Sequence, residues 1–190
     1  VYEWLMAGEP EQPVDSFDRH VFACAIAIGL GNSERPLTVA LGLTRVQLSE
    51  ILGRYFPTAL WLLADQPEDG GEMAIEEEDL RDLLLRHRTS GREEELWLAV
   101  ILARRSLEFN HLWQDLGLHS RGDLSALMKN NFVALAAKNN RDMKWKKFFY
   151  RSMCEDEGLR LCKSPNCDIC DDFTVCSGDE NAASLPYAAA

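Results

Sequence analysis

Four cysteines stand within fifteen residues as Cys162-x4-Cys167-x2-Cys170-x5-Cys176. The segment that holds them, residues 159–178, is too short and polar to build a core, so burial does not explain them. Thiolates are soft ligands that select zinc, copper(I) or iron–sulfur units. The first three follow the C-x4-C-x2-C spacing used by thiolates that hold an iron–sulfur cluster. Structural zinc more often uses two C-x2–4-C pairs parted by a longer spacer. Here one C-x2-C pair is flanked by gaps of four and five residues, which wraps one polynuclear cluster more naturally than two zinc knuckles. Zinc and free redox thiols stay open as alternatives.

The residues just before this loop carry compatible chemistry. Lys144, Lys147 and Arg151 recur on one side of a helix expected over about residues 141–155. Trp145, Phe148, Phe149 and Met153 form its broad apolar face. A cluster with four thiolates is anionic, as is an oxyanion, and positive charge beside either lowers the cost of holding it. The plain alternative is a solvated helix face. Cys154 shares the side carrying Lys147 and is a candidate fifth ligand or metal-handling thiol, against a small residue buried at a helix end.

Two further patterns are weaker. Glu108-x-x-His111 has the i,i+3 spacing that puts two side chains on one helix face, but di-iron carboxylate bundles need two such pairs and only one is present. His111 remains a candidate nitrogen ligand, against the commoner hydrogen-bonded core histidine. His20, His87 and His119 show no partner pattern, and Cys24, among Phe22, Ala23 and Ile26, reads as core.

The elements that must position these residues are helical throughout. Asp15 is a good N-cap for an apolar helix to about Leu30. Pro36 opens a short helix that Gly42 breaks, and Thr44 caps the next, which runs until Pro57. Residues 65–79 hold eight acids and no base and read as a solvated linker. Helical period returns over Ile75 to His87, then over a long apolar segment, Leu96 to Leu116, introduced by Glu93, Glu94 and Glu95. Ser120 starts another helix, and one more covers Phe132 to Lys138. No β-alternation appears, so the fold class is all-α, a bundle-like helical domain followed by a cysteine-rich cluster-binding loop. The expected division is a loose arm over 1–13, a helical domain over 14–158, the cysteine loop over 159–178 and a disordered tail over 179–190.

Composition narrows the partners. The chain has 190 residues, enough for one core with an appendage, and a formal charge of −11 from 31 acids and 20 bases. That sign disfavours nonspecific nucleic-acid binding. The longest apolar run, Val21 to Leu30, is too short to span a bilayer and lacks a basic leader, so no membrane partner and a cytoplasmic location are expected. In a reducing compartment clustered cysteines favour metal over disulfides. No nucleophile triad, catalytic carboxylate pair or phosphate loop is present, which points to a binding protein rather than an enzyme.

One alternative comes from Leu37 to Phe56, where Gly42 sits in the turn of a helix-turn-helix-like hairpin with Arg35, Arg45 and Arg54 nearby. It would make the chain an iron–sulfur-dependent transcriptional regulator, although a basic recognition face is lacking. A structural zinc-binding adaptor is the other alternative.

Taken together, three blocks resemble the nitrogen-fixation protein NifQ family. They are NHLWQDLGL (Asn110 to Leu118), MKWKKFFYR (Met143 to Arg151) and CKSPNCDICDDFTVC (Cys162 to Cys176), and the likeness extends through about residues 20–180. The resemblance implies a protein that binds a molybdenum–iron–sulfur cluster and supplies molybdenum for the iron–molybdenum cofactor of nitrogenase. It implies Cys162, Cys167, Cys170 and Cys176 as the ligands. It implies the cofactor-assembly scaffold NifEN and the nitrogenase iron protein as partners, with molybdate or another molybdenum source upstream.

Overall fold

The computed structural model describes residues 1–31 and 34–156. Every regular element among them is helical, in accord with the all-α expectation. Cys162, Cys167, Cys170 and Cys176, with the expected loop and tail, lie outside the described residues. The chain divides into two compact units, residues 1–137 and 138–190.

The first unit is built around a helix that is buried on nearly all sides. In chain order its elements are α1 (Tyr2–Ala7), α2 (Ser16–Gly31), α3 (Leu37–Leu41), α4 (Arg45–Tyr55), a 3-10 segment (Pro57–Leu63), α5 (Ile75–Arg86), α6 (Glu93–Ser106), α7 (Leu112–Asp115), α8 (Arg121–Asn131) and α9 (Val133–Lys138), whose last residue opens the second unit. Helix α6 packs against α3, α5 and α7 and buries Trp97 through Ser106 without a break. From Trp97 to Ala103 the helix is apolar all round, the pattern of a helix in the middle of a core. Phe22 of α2 joins it to α4, with ring centroids 5.0 Å from Tyr55 and 6.0 Å from Trp97.

Local chemistry sets the boundaries. Asp15 Oδ1 accepts from the backbone N–H groups of Phe17 and Asp18, both at 2.9 Å, and so starts α2 as expected. Thr44 and Gln47 form a reciprocal capping box at the start of α4, and Ser120 and Asp123 do the same for α8. Gly42 ends α3 at φ 71°, a left-handed conformation that glycine adopts without strain.

Four expectations need correction. The arm over 1–13 carries a helix, α1, whose Leu5 is buried and whose end is held by Arg19 bonding to the carbonyls of Leu5, Met6 and Gly8. The acidic stretch 65–79 is docked: Arg45 N–H donates to Glu68 O at 3.0 Å, and Glu77 is buried against Arg104. The long apolar helix stops at Ser106, because Arg105 Nε donates to Asp115 O at 2.7 Å and draws the chain round into α7. Glu108 and His111 therefore lie between two helices rather than on one. The last described helix, α10 (Trp145–Asp156), begins later than expected. Asp142 takes a left-handed φ of 52°, and Asn139 bonds both the N–H and the C=O of Met143, so helical bonding is pre-empted there.

Among the described residues, no helix is long and apolar enough to cross a membrane.

Candidate metal centre

In the second unit, α10 leads toward the thiol motif in sequence. Trp145, Phe148 and Phe149 form a cluster with centroids 5.7, 5.8 and 6.1 Å apart, and all three are buried. Aromatic contacts at these distances add roughly 0.5–1.5 kcal/mol each beyond area burial. They fix the helix by one face. Lys144 accepts at its carbonyl the first helical N–H, from Phe148 at 2.9 Å, and Lys147 lies in the first turn. Arg151 Nε donates to Glu155 Oε1 at 2.8 Å along the helix. Cations in a first turn oppose the helix dipole, so this end of α10 carries a concentrated positive field. Cys154 is half-buried near the helix end.

His111, the other candidate ligand, precedes α7. Its backbone N–H donates to Gln114 Oε1 at 3.1 Å and its carbonyl accepts from Gln114 N–H at 2.8 Å. The neighbouring Glu108 faces Arg35 at 2.9 Å and Arg105 at 3.7 Å, which commits that carboxylate to arginine rather than to a metal pair with His111.

The hairpin that resembles a helix-turn-helix has its arginines spent on carboxylates. Arg45 pairs with Glu68 at 2.9 Å, and Arg54 bonds Glu93 at 2.5 Å and Glu94 at 2.7 Å while stacking over Trp97 at 4.8 Å. Such a helix presents little free positive charge to a phosphate backbone.

The first unit assembles a group that the sequence reading passed over. His20 of α2, His119 of the α7–α8 turn and Asp123 of α8 each offer a donor atom, all within 4.8 Å of one another. The two imidazoles lie with centroids 5.2 Å apart. Tyr2 packs edge-on against both rings, and its hydroxyl is 2.7 Å from His20 Nδ1. Cys24 Sγ is 3.8 Å from either nitrogen of His20. Burial, and then His119, hold the His20 pKa below its ordinary value against the opposing pull of Asp123. Burial, and then Asp123, push the Cys24 thiol up to about 11, which suits the core position read from sequence. Gly117 makes the convergence possible: at φ 70°, its added Cβ would come 2.8 Å from Cys24 O. The signal in the sequence was two i,i+4 spacings, His20-x3-Cys24 and His119-x3-Asp123, each too common alone to single out.

With this geometry in place, the comparisons with known proteins bear on function. The NifQ family profile matches residues 21–178. The chain is 40% identical over 184 residues to a protein named NifQ homolog of Sinorhizobium fredii, covering 92% of this chain and 80% of that one. It is 43% identical over 150 residues to NifQ of Rhodobacter capsulatus, covering 79% and 80%. To NifQ of Azotobacter vinelandii it is 41% identical over 152 residues, covering 74% and 78%. No solved structure matches the chain at a significant level.

Proposed function

The chain belongs to the NifQ family of nitrogen-fixation proteins, and from that membership we propose that it is a molybdenum carrier. On this reading it binds a molybdenum–iron–sulfur cluster as cargo and passes molybdenum toward the iron–molybdenum cofactor of nitrogenase. The observation that carries the reading is the extent of the family match. It runs to residue 178 and so encloses Cys162, Cys167, Cys170 and Cys176.

The chemistry of the donor set fits the cargo. Thiolates are the soft ligands that iron–sulfur units select. Each must be deprotonated to bind, and the cluster they hold is anionic. Lys144, Lys147 and Arg151, which precede Cys162 by 18, 15 and 11 residues, are the candidate cations to offset that charge, with Arg151 shared with Glu155. Cys154 and His111 are the further candidate ligands. The partners on this reading are the cofactor-assembly scaffold NifEN and the nitrogenase iron protein. The chain acts as a carrier, not a catalyst.

The test is iron, sulfide and molybdenum analysis, with an absorption spectrum, of protein purified anaerobically from cells given molybdate. A brown protein holding iron, sulfide and up to one molybdenum supports the reading. A colourless protein with one zinc and no sulfide after reconstitution replaces the carrier with a zinc-binding adaptor.

A further inference from the structure

We propose that His20, His119 and Asp123 form a second metal site, selective for a divalent first-row transition ion and separate in chemistry from the thiolate motif. Two imidazoles and one carboxylate, with donor atoms within 4.8 Å of one another, are a donor set used for zinc(II) and iron(II). Zinc–nitrogen and zinc–oxygen bonds of about 2.0–2.2 Å put tetrahedral donors about 3.4 Å apart. Donors now within 4.8 Å of one another must close by up to about 1.4 Å to reach that value. His119 is exposed and can make the largest part of that movement.

The surroundings resemble those of a built site. Ligating histidines commonly hand their second ring nitrogen to a fixed polar partner, which sets the tautomer and ring orientation. Tyr2 provides that partner for His20, its hydroxyl 2.7 Å from Nδ1; in the tautomer whose Nδ1–H donates to the phenolic oxygen, Nε2 is left to bind the ion. Asp123 is aimed by the capping box, its Oδ2 accepting from Ser120 N–H at 3.0 Å and its own N–H donating to Ser120 Oγ at 3.2 Å. The close approach at Gly117 holds the turn bearing His119 onto α2. A bound ion would tie the N-terminal helix, through Tyr2, to α2 and α8. Three protein donors leave the fourth position of a tetrahedral ion to water.

The experiment uses the full chain with Cys162, Cys167, Cys170 and Cys176 all replaced by Ser, which removes the competing thiolates and makes the result independent of the carrier reading. Cobalt(II) and zinc(II) are titrated into this parent and into versions that also carry His119→Ala, Asp123→Asn or Tyr2→Phe. One equivalent is expected to bind the parent, with d–d bands in the cobalt spectrum and a zinc-dependent rise in Tm. Tyr2→Phe weakens binding roughly tenfold. His119→Ala and Asp123→Asn weaken it at least as much. Because His119 is exposed, the metal-free His119→Ala protein keeps the parent's Tm, so its loss of binding reports the site and not the fold. Absence of stoichiometric binding in the parent overturns the proposal. So does binding that is indifferent to both His119→Ala and Asp123→Asn.

Discussion

Arg104 and Glu77 meet inside the first unit, with Arg104 Nε donating to Glu77 Oε1 at 2.9 Å and both side chains nearly shut off from solvent. The guanidinium also donates to Val39 O at 2.8 Å and Glu72 O at 3.2 Å. One charge at the end of α6 thus clamps α3, α5 and the acidic stretch that precedes α5. Among the described residues Glu77 Oε2 has no hydrogen-bond partner, so there the clamp is compensated on one oxygen only.

Replacing Glu77 with Ala leaves that guanidinium buried without its counter-charge. Breaking a buried pair from one side costs about 3–5 kcal/mol. The expected loss lies near the lower figure, because two carbonyls still solvate Arg104. Glu77→Gln keeps an acceptor for Arg104 Nε and costs less. Denaturant unfolding followed by circular dichroism measures both, and a Glu77→Ala protein as stable as the parent would mean that the stretch 65–79 is a solvated linker after all.

Gly70 lies against the turn at Gly42. A Cβ added at Gly70 would sit 2.5 Å from Gly42 C and O, and backbone atoms cannot rotate aside as side chains do. Gly70→Ala should therefore destabilise by about 1–3 kcal/mol. Gly53, whose added Cβ meets nothing within 4 Å, is the control: Gly53→Ala on the surface of α4 should be neutral or stabilising. Thermal unfolding of the two variants side by side decides.

Stability should fall on the alkaline side through Tyr55. Its hydroxyl donates to Glu94 Oε1 at 3.1 Å in the core. Burial, and then the Glu94 and Asp18 carboxylates, push the phenol far above its ordinary value of 10.0. The unfolded chain loses this proton near its ordinary value while the folded chain keeps it. The stabilisation is therefore complete below about pH 10 and declines as pH rises beyond it. Glu94 acts in the opposite range. Burial raises it, but its backbone bond and those from Arg54 and Tyr55 outweigh burial and hold it below 4.5, so its contribution is present above that value and fades as pH falls. Tyr55→Phe should flatten the decline in denaturation midpoint above about pH 10. Unchanged steepness would remove Tyr55 as its source.

Cys167→Ala and Cys170→Ala should abolish bound iron and sulfide while leaving helix content intact. The apolar core formed by Phe22, Tyr55, Trp97 and Leu102 lies wholly upstream of both positions. Iron analysis together with far-ultraviolet circular dichroism tests the separation, and a collapse of helicity in either variant would refute it.

The local grammar of the chain was legible because capping acts within about four residues. Asp15, Gly42, Thr44 and Ser120 each announced a boundary that the folded chain keeps. The all-α class and the core position of Cys24 followed from apolar periodicity in the same way. The thiol motif and the two blocks before it were enough to identify the family, since they are short, contiguous and carry their chemistry in their spacing.

Tertiary structure decided what depends on partners distant in the chain. Glu77 looked like one acid in a solvated run until Arg104 reached it from α6. The break after Ser106 depends on a carbonyl at Asp115 that no helical period reveals. His20 and His119 acquire a common purpose only because Gly117 allows the turn before α8 to touch the backbone of α2. A capping residue specifies its neighbours through bonds of fixed reach, whereas a site assembled from Tyr2, His20, His119 and Asp123 exists only once burial of the core has brought their helices together.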